Sequence, residues 1–89
     1  MNFNKILAEF FGTSVFLFVI IYTNNAWAIG LTLAILVLIF GKLTGANFNP
    51  AVTIMLALAK KLSKNEVLPY IFAQLLGAIA ALQCYRMVK

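Results

Sequence analysis

Three long apolar runs, separated by short polar segments, dominate the chain. They extend from about Ile6 to Tyr22, from Ala26 to Leu43 and from Val67 to Tyr85. Each approaches the length of about 20 helical residues that crosses the hydrocarbon core of a bilayer. The polar turn Thr23-Asn24-Asn25 between the first two runs predicts an antiparallel helical hairpin. The pattern therefore predicts an all-α membrane protein with three transmembrane helices.

The segment between the second and third runs does not fit a spanning helix. Glycines and polar residues interrupt the apolar pattern from Gly41 to Asn49, and Pro50 then begins a new apolar stretch that ends at Lys60-Lys61. Proline is tolerated at the first helical position, and asparagine is a favoured N-cap residue. A helix from Pro50 to Lys60, at about 1.5 Å per residue, spans roughly half of the ~30 Å core. We expect a re-entrant half-helix there.

Composition agrees with lipid as the solvent. Hydrophobic residues make up 64% of the 89 residues and charged residues 10%, against about 45–50% and about 25% in globular proteins. The mean hydropathy is +1.01. With no histidine and only Glu9 and Glu66 as acids, the chain has almost no groups for acid–base or metal chemistry. We therefore expect no enzyme activity, no cofactor and no metal. The single cysteine, Cys84, cannot form an intramolecular disulfide.

The net charge of +5 reflects basic residues at the ends of the apolar runs. That placement is typical of membrane topology rather than of nucleic-acid binding. With the N-terminus in the cytoplasm, five lysines are cytoplasmic and two basic residues are outside: Lys5, Lys42, Lys60, Lys61 and Lys64, against Arg86 and Lys89. We expect a multi-pass integral membrane protein in this orientation, with no nucleic-acid partner. The aromatic residues Tyr22, Tyr70, Tyr85 and Trp27 lie near predicted helix ends and are expected at the membrane interface.

The residues just before the half-helix indicate a polar path. If Lys60 and Lys61 lie at a membrane face, Asn49 lies near the midplane. Irregular backbone at that depth is tolerated where it is buried in protein or lines a watery cavity. The half-helix N-terminus, with a partial charge of about +0.5, disfavours cations and protons. The arrangement favours a path for neutral polar molecules, and a simple kink in a helix pair is the alternative.

Three motifs resemble those of the major intrinsic proteins, the aquaporins and glycerol channels. GANFNPAVT at 45–53 resembles their first NPA loop, AEFFGT at 8–13 their first helix, and AQLLGA at 73–78 their third. Members of that family contain two inverted repeats, and residues 1–89 resemble the first repeat alone, as a single domain. The resemblance implies half of a passive channel for water or a small neutral solute such as glycerol or ammonia.

The resemblance also implies a role for each matching loop residue. The Asn49 amide donates to the passing molecule, and Pro50 and Ala51 hold the start of the half-helix. Backbone carbonyl groups accept from the permeant along the preceding segment, which comprises Gly45, Ala46, Asn47 and Phe48. Many members of the family have histidine at the position of Asn47, so this chain lacks a titratable group there.

Two further residues match the family's supports for the loop. Glu9 resembles a buried glutamate that hydrogen-bonds the loop backbone, and an exposed interfacial glutamate is the alternative. Gln74 resembles a brace between loop and helix, and an ordinary interhelical hydrogen bond is the alternative. The spacing of Ala73, Gly77 and Ala81 predicts a small-residue packing face on the third helix.

The resemblance leaves selectivity and assembly open. Ile29 matches a position of the family's narrow filter where water-selective members usually have an aromatic residue, so ammonia or small polyols are candidates beside water. One half-helix does not enclose a channel. The chain is expected to need a second half-channel chain or a homo-oligomer. The alternatives are a fragment of a longer channel, or a non-conducting structural or interaction module in the membrane.

Overall fold

A computed structural model describes residues 2–89, which form four α-helices. They are α1 (Phe3–Thr23), α2 (Ala26–Thr44), α3 (Pro50–Leu58) and α4 (Lys64–Val88). By length and composition, α1, α2 and α4 could each cross a membrane, whereas α3 has nine residues. The predicted fold class, all-α with three candidate spans and one short additional helix, is confirmed.

α1 and α4 each begin three residues before the apolar run from which they were predicted. Their N-caps explain the difference. The side chain of Asn2 accepts from the backbone N–H of Asn4 at 2.9 Å, and that of Ser63 accepts from Asn65 at 3.3 Å. Capping satisfies backbone donors that have no intrahelical partner. The helices therefore extend through polar residues that hydropathy alone leaves out.

α3 ends at Leu58, two residues before the predicted end of the half-helix. Lys60 adopts a left-handed conformation with φ 61°. Its N–H donates to the carbonyl of Ala57 at 3.1 Å, and the N–H of Lys61 donates to Leu56 at 2.8 Å. This pair of bonds is a Schellman motif, which closes a helix and reverses the chain. The two lysines thus belong to the turn after α3 rather than to the helix.

α1 is the central helix, because it packs against both α2 and α4, while α3 packs against α4. The contact between α1 and α4 is close. A Cβ atom on Gly77 would lie 2.9 Å from the Cβ of Thr13 and 3.1 Å from the carbonyl oxygen of Phe10. Ala73 and Ala81 on the same face of α4 are also buried. The predicted small-residue packing face is confirmed.

α2 is covered on one side only. Its buried residues are Leu36 and Thr44, and large apolar side chains such as Leu31, Leu38 and Ile39 are exposed. Apart from the end that carries the following loop, α2 packs along α1 alone. A broad apolar surface beside the loop is therefore open to lipid or to further protein.

The Tyr70 side chain does not face the surroundings, as an exposed aromatic residue of the membrane interface would. Its side chain is 1% exposed, whereas Tyr22 and Trp27, beside the α1–α2 turn, are well exposed. Because α4 begins at Lys64, Tyr70 lies nearly two turns inside the helix. It faces the protein interior on the same side as Gln74, four residues later.

Candidate functional site

The loop from Gly45 to Asn49, between α2 and α3, has an unusual backbone. Gly45, Ala46 and Phe48 have φ angles of 86°, 52° and 55°. Left-handed conformations cost non-glycine residues on the order of 1–3 kcal/mol each and persist where the surroundings impose them. Two such residues within five positions therefore call for strong external support.

Glu9 of α1 provides that support. Its carboxyl group has no exposed surface. Oε2 accepts from the backbone N–H of Asn47 at 3.1 Å, and Oε1 accepts from that of Phe48 at 2.8 Å. The preceding N–H, of Ala46, donates to Thr44 Oγ1 at 2.9 Å. The backbone donors of residues 45–48 are thus all satisfied by the protein.

Four buried polar side chains meet beneath the loop, and we call Glu9, Asn47, Thr53 and Gln74 the polar cluster. Gln74 Nε2 donates to Glu9 Oε1 at 2.9 Å and to Thr53 Oγ1 at 2.7 Å. Asn47 Nδ2 donates to the same hydroxyl oxygen at 3.0 Å. The polar cluster therefore joins α1, the loop, α3 and α4 through side chains that are almost fully excluded from solvent.

Tyr70 fixes the other end of the loop, and sequence analysis assigned it no such role. Its hydroxyl donates to the backbone carbonyl of Thr44 at 2.9 Å. Thr44 is the last residue of α2, and its own hydroxyl oxygen accepts from the loop. Tyr70 and Gln74 are four residues apart and share one face of α4, so one helix contacts the chain on both sides of the loop. That spacing relative to Gln74 was the available sequence signal.

The Phe48 side chain anchors the loop in the apolar core. Its ring packs with Leu36 of α2 and makes an edge-on contact with Phe40, with ring centroids 6.3 Å apart. A Cβ atom on Gly12 would lie 2.6 Å from Phe48 Cζ. Glycine at position 12 therefore leaves the space that this ring occupies.

The backbone carbonyl groups of residues 45–48, unlike their N–H groups, have no hydrogen-bond partner among the described residues. Within residues 2–89, no donor reaches the carbonyl oxygens of residues 45–48. The Asn49 side chain caps α3, because its Oδ1 accepts from the N–H of Ala51 at 2.7 Å. Its Nδ2 has no partner in the described part of the chain, and Asn49 is exposed. The site thus offers carbonyl acceptors and the side-chain amide of Asn49 as a donor.

The predicted pore residues do not all lie at one surface. Gly45, Asn49 and Ala51 are exposed and Pro50 is half-buried, but the side chains of the three intervening residues point into the protein: Ala46, Asn47 and Phe48. Those three residues have only backbone atoms to offer a permeant. Ile29 lies near the start of α2, fifteen residues before Thr44 and so about 22 Å away along the helix axis. The structure does not bring Ile29 to the loop.

Sequence comparison identifies the family. The sequence model of the family described as "Major intrinsic protein" matches residues 1–89, the whole chain. The chain belongs to the major intrinsic protein family. Members of this family are membrane channels and not enzymes, so this major intrinsic protein is an integral membrane protein of a channel family.

Individual relatives of this major intrinsic protein include both water-channel and glycerol-channel proteins. The chain is 36% identical over 86 residues to glycerol uptake facilitator protein-like 6 of Lactiplantibacillus plantarum, which covers 86% of this chain and 40% of the relative. It is 38% identical over 93 residues to aquaporin Z of Brucella melitensis, and the match covers 88% of this chain and 41% of the relative. Aquaglyceroporin AqpS of Rhizobium meliloti is 46% identical over 56 residues, and the match covers 63% of this chain and 24% of the relative. The chain spans about two fifths of the length of the first two.

Proposed function

We propose that this chain forms one half of a passive transmembrane pore for water or a small neutral solute such as glycerol or ammonia. The observation that carries the proposal is the division of hydrogen-bonding groups in the loop. Glu9 and Thr44 satisfy the inward backbone donors, while the carbonyl oxygens of residues 45–48 and the Asn49 amide are left for an external partner.

Such a set of groups fits a permeant that both donates and accepts hydrogen bonds. A water molecule or a hydroxyl group would donate to the carbonyl groups of residues 45–48 and accept from Asn49 Nδ2. Each bond to the loop replaces a bond to bulk water, so the polar molecule crosses the apolar core without a large desolvation penalty. No covalent step is involved.

Charge selection would come from α3. The loop leads into the α3 N-terminus, where Pro50 and Ala51 begin the helix and the partial charge is about +0.5. Positive ions and excess protons are disfavoured beside such an end. Neutral solutes are not, which supports water, polyols or ammonia as the permeant class.

Ile29 would contribute to solute choice separately from the loop. It lies near the opposite end of α2, and in the proposed pore it lines a second constriction. An aliphatic side chain there provides no hydrogen bond and less bulk than an aromatic ring. This residue supports a wider or more apolar constriction than that of a strictly water-selective channel, and makes glycerol and ammonia worth testing beside water.

The pore would be completed by a second NPA-containing half, supplied by another chain, by a second copy or by a further part of the same polypeptide. Two observations support this requirement. α2 leaves most of its apolar surface uncovered, and the exposed side of the loop, at Gly45 and Asn49, faces no other part of residues 2–89. We propose that the complementary half packs there and encloses the path.

We further propose that the N-terminus is cytoplasmic. The ends of the chain's helices differ in charge, with five lysines at the proposed inner face and two basic residues at the outer face. Labelling Cys84, which is exposed near the end of α4, with a membrane-impermeant thiol reagent in sealed cells tests this orientation. Reaction from the outside alone is expected, and reaction from both sides would indicate dual topology.

Osmotic swelling of proteoliposomes tests conduction. The chain is reconstituted alone and together with the second NPA-containing repeat of an aquaporin, and water and glycerol permeability are measured. We expect permeability above that of empty vesicles in at least one preparation, and loss of the increase in Asn49→Leu. If neither preparation exceeds empty vesicles, the pore proposal fails and a non-conducting structural module becomes the better interpretation.

A matched variant separates the pore role of Asn49 from its capping role. Asn49→Ser retains an oxygen that can cap α3 but removes the amide donor. We expect Asn49→Ser to keep the helical content and thermal stability of the parent chain while its permeability falls. Unchanged permeability in both variants would mean that the solute crosses through lipid rather than along the loop.

A further inference from the structure

A groove runs between α1 and α4. It has a volume of about 500 Å³ and is almost entirely apolar. Large apolar side chains line its walls, among them Phe3, Leu7 and Phe10 from α1, and Leu68, Phe72 and Leu76 from α4. A groove of this size and polarity is comparable to small-ligand sites in proteins.

Two smaller residues of α4 make the groove deep. Ala73 is buried and Pro69 is half-buried, whereas the flanking Leu68 and Phe72 are about two-thirds exposed. The exposed rings and leucines therefore stand above a floor of short side chains. The groove extends along the helices for two turns of α4, from Leu68 to Leu76. Its shape fits an extended hydrocarbon chain rather than a compact ligand.

The end of the groove where both helices begin is positively charged. Lys5 and Glu66 form an ion pair at 2.9 Å across the two helices, so their charges cancel. Lys64 precedes Leu68 by one helical turn and is exposed. Within residues 2–89 no carboxylate lies within 4.0 Å of its ammonium group. Among the described residues, Lys64 is thus a cation without a carboxylate partner, one helical turn before the apolar groove.

We propose that the α1–α4 groove binds one phospholipid with an anionic headgroup. The acyl chain lies between Phe3 and Phe72, and the headgroup phosphate contacts Lys64. Because members of the family lie in membranes, lipid is present beside the groove. The positive charge of Lys64 favours an anionic headgroup. A juxtamembrane lysine favours anionic over zwitterionic lipid by about fivefold. The proposal concerns the outer surface of the helix pair and is independent of whether the loop conducts.

Fluorescence quenching by brominated lipid tests the proposal. The native Trp27 is removed by Trp27→Phe, and a single tryptophan is placed in the groove by Leu68→Trp. The protein is reconstituted in mixtures of brominated phosphatidylglycerol or phosphatidylcholine with unbrominated lipid. We expect the brominated anionic lipid to quench about fivefold more effectively, measured as a relative binding constant.

Two matched controls locate the effect. Adding Lys64→Gln should reduce the preference to near unity, whereas Lys42→Gln, which removes an equal charge from α2, should leave it unchanged. A tryptophan introduced by Ile79→Trp, exposed on α4 beyond the groove, should show little headgroup preference.

The proposal is overturned by any of three results. Equal preference at positions 68 and 79, or an equal loss in the Lys42 and Lys64 variants, would mean a diffuse surface potential rather than a site. Absence of quenching at position 68 by either lipid would mean that protein, such as a second copy of the chain, covers the groove. Circular dichroism of each variant confirms that helical content is retained, so that a folding defect is recognised as such.

Discussion

Replacing Glu9 by leucine should release the loop from α1. The carboxyl group accepts three N–H bonds, from the backbone of Asn47 and Phe48 and from the side chain of Gln74. Leucine removes every acceptor and leaves the donors buried. An unsatisfied buried donor costs about 1–3 kcal/mol, so the loss is about 3–9 kcal/mol before relaxation. That approaches the whole stability of about 5–15 kcal/mol that is typical of folded proteins.

A glutamine at the same position should cost much less. Its side-chain oxygen can take the place of Oε1 and keep the bonds to Phe48 and Gln74. Its amide then faces the N–H of Asn47, so one buried donor loses its acceptor, at about 1–3 kcal/mol. The expected order of stability is therefore parent, then Glu9→Gln, then Glu9→Leu. Size alone would predict similar effects from both replacements.

Hydrogen exchange and unfolding in detergent measure these changes. In Glu9→Leu, amide exchange at Asn47 and Phe48 should accelerate at least tenfold, because about 1.4 kcal/mol corresponds to a factor of ten, while the α2 interior at Leu36 stays protected. Glu66→Gln serves as the control, since its partly exposed ion pair is worth about 0–1 kcal/mol. Unchanged exchange at the two loop amides, or equal losses in the Glu9 and Glu66 variants, would show that Glu9 does not support the loop.

Three further changes probe the supports of the loop. Gly12→Ala should destabilise the chain by about 1–3 kcal/mol, because the added methyl group overlaps the Phe48 ring; an unchanged midpoint of unfolding in detergent would contradict this. Tyr70→Phe should destabilise the chain by about 1–3 kcal/mol, because it leaves the buried Thr44 carbonyl without its donor. The same unfolding experiment in detergent measures this change, and an unchanged midpoint would mean that the Tyr70 hydroxyl does not contribute to stability. Asn49→Ala should cost about 1 kcal/mol through loss of the α3 N-cap, and a thermal unfolding temperature equal to that of the parent would argue against the cap.

Hydropathy and cap chemistry predicted the helices well because each depends on neighbouring residues. The apolar runs located α1, α2 and α4, and the Asn49-Pro50 pair located the start of α3. The predicted ends were less accurate at the N-termini of α1 and α4, where side-chain caps extend the helices, and at the C-terminus of α3, where a Schellman motif ends the helix. Lys60 illustrates the difficulty, since a lysine in a left-handed turn has no local sequence signature.

Contacts between distant residues were harder to predict from one sequence. Tyr70 was assigned to the membrane interface because it lies near a predicted helix end, but its face of α4 is decided by packing within the protein and by its bond to Thr44. Nor does the sequence indicate that Asn47 turns its side chain toward Thr53. The resemblance to a family identified Glu9 and Gln74 as supports, and the structure adds which atoms they contact.

The polar cluster has a consequence for how the chain assembles in the membrane. Glu9 and Gln74 are 65 residues apart in sequence, so their hydrogen bond forms only after α4 has been synthesised and docked on α1. Until then, Thr53 lacks the Gln74 amide as a partner. With nine residues, α3 is too short to cross the bilayer by itself. We therefore expect insertion in two stages, with the α1–α2 hairpin first and α3, which packs against α4, becoming ordered last. In a ribosome-stalled chain that ends before α4, Thr53 of α3 should remain accessible to solvent, because it lacks its Gln74 partner.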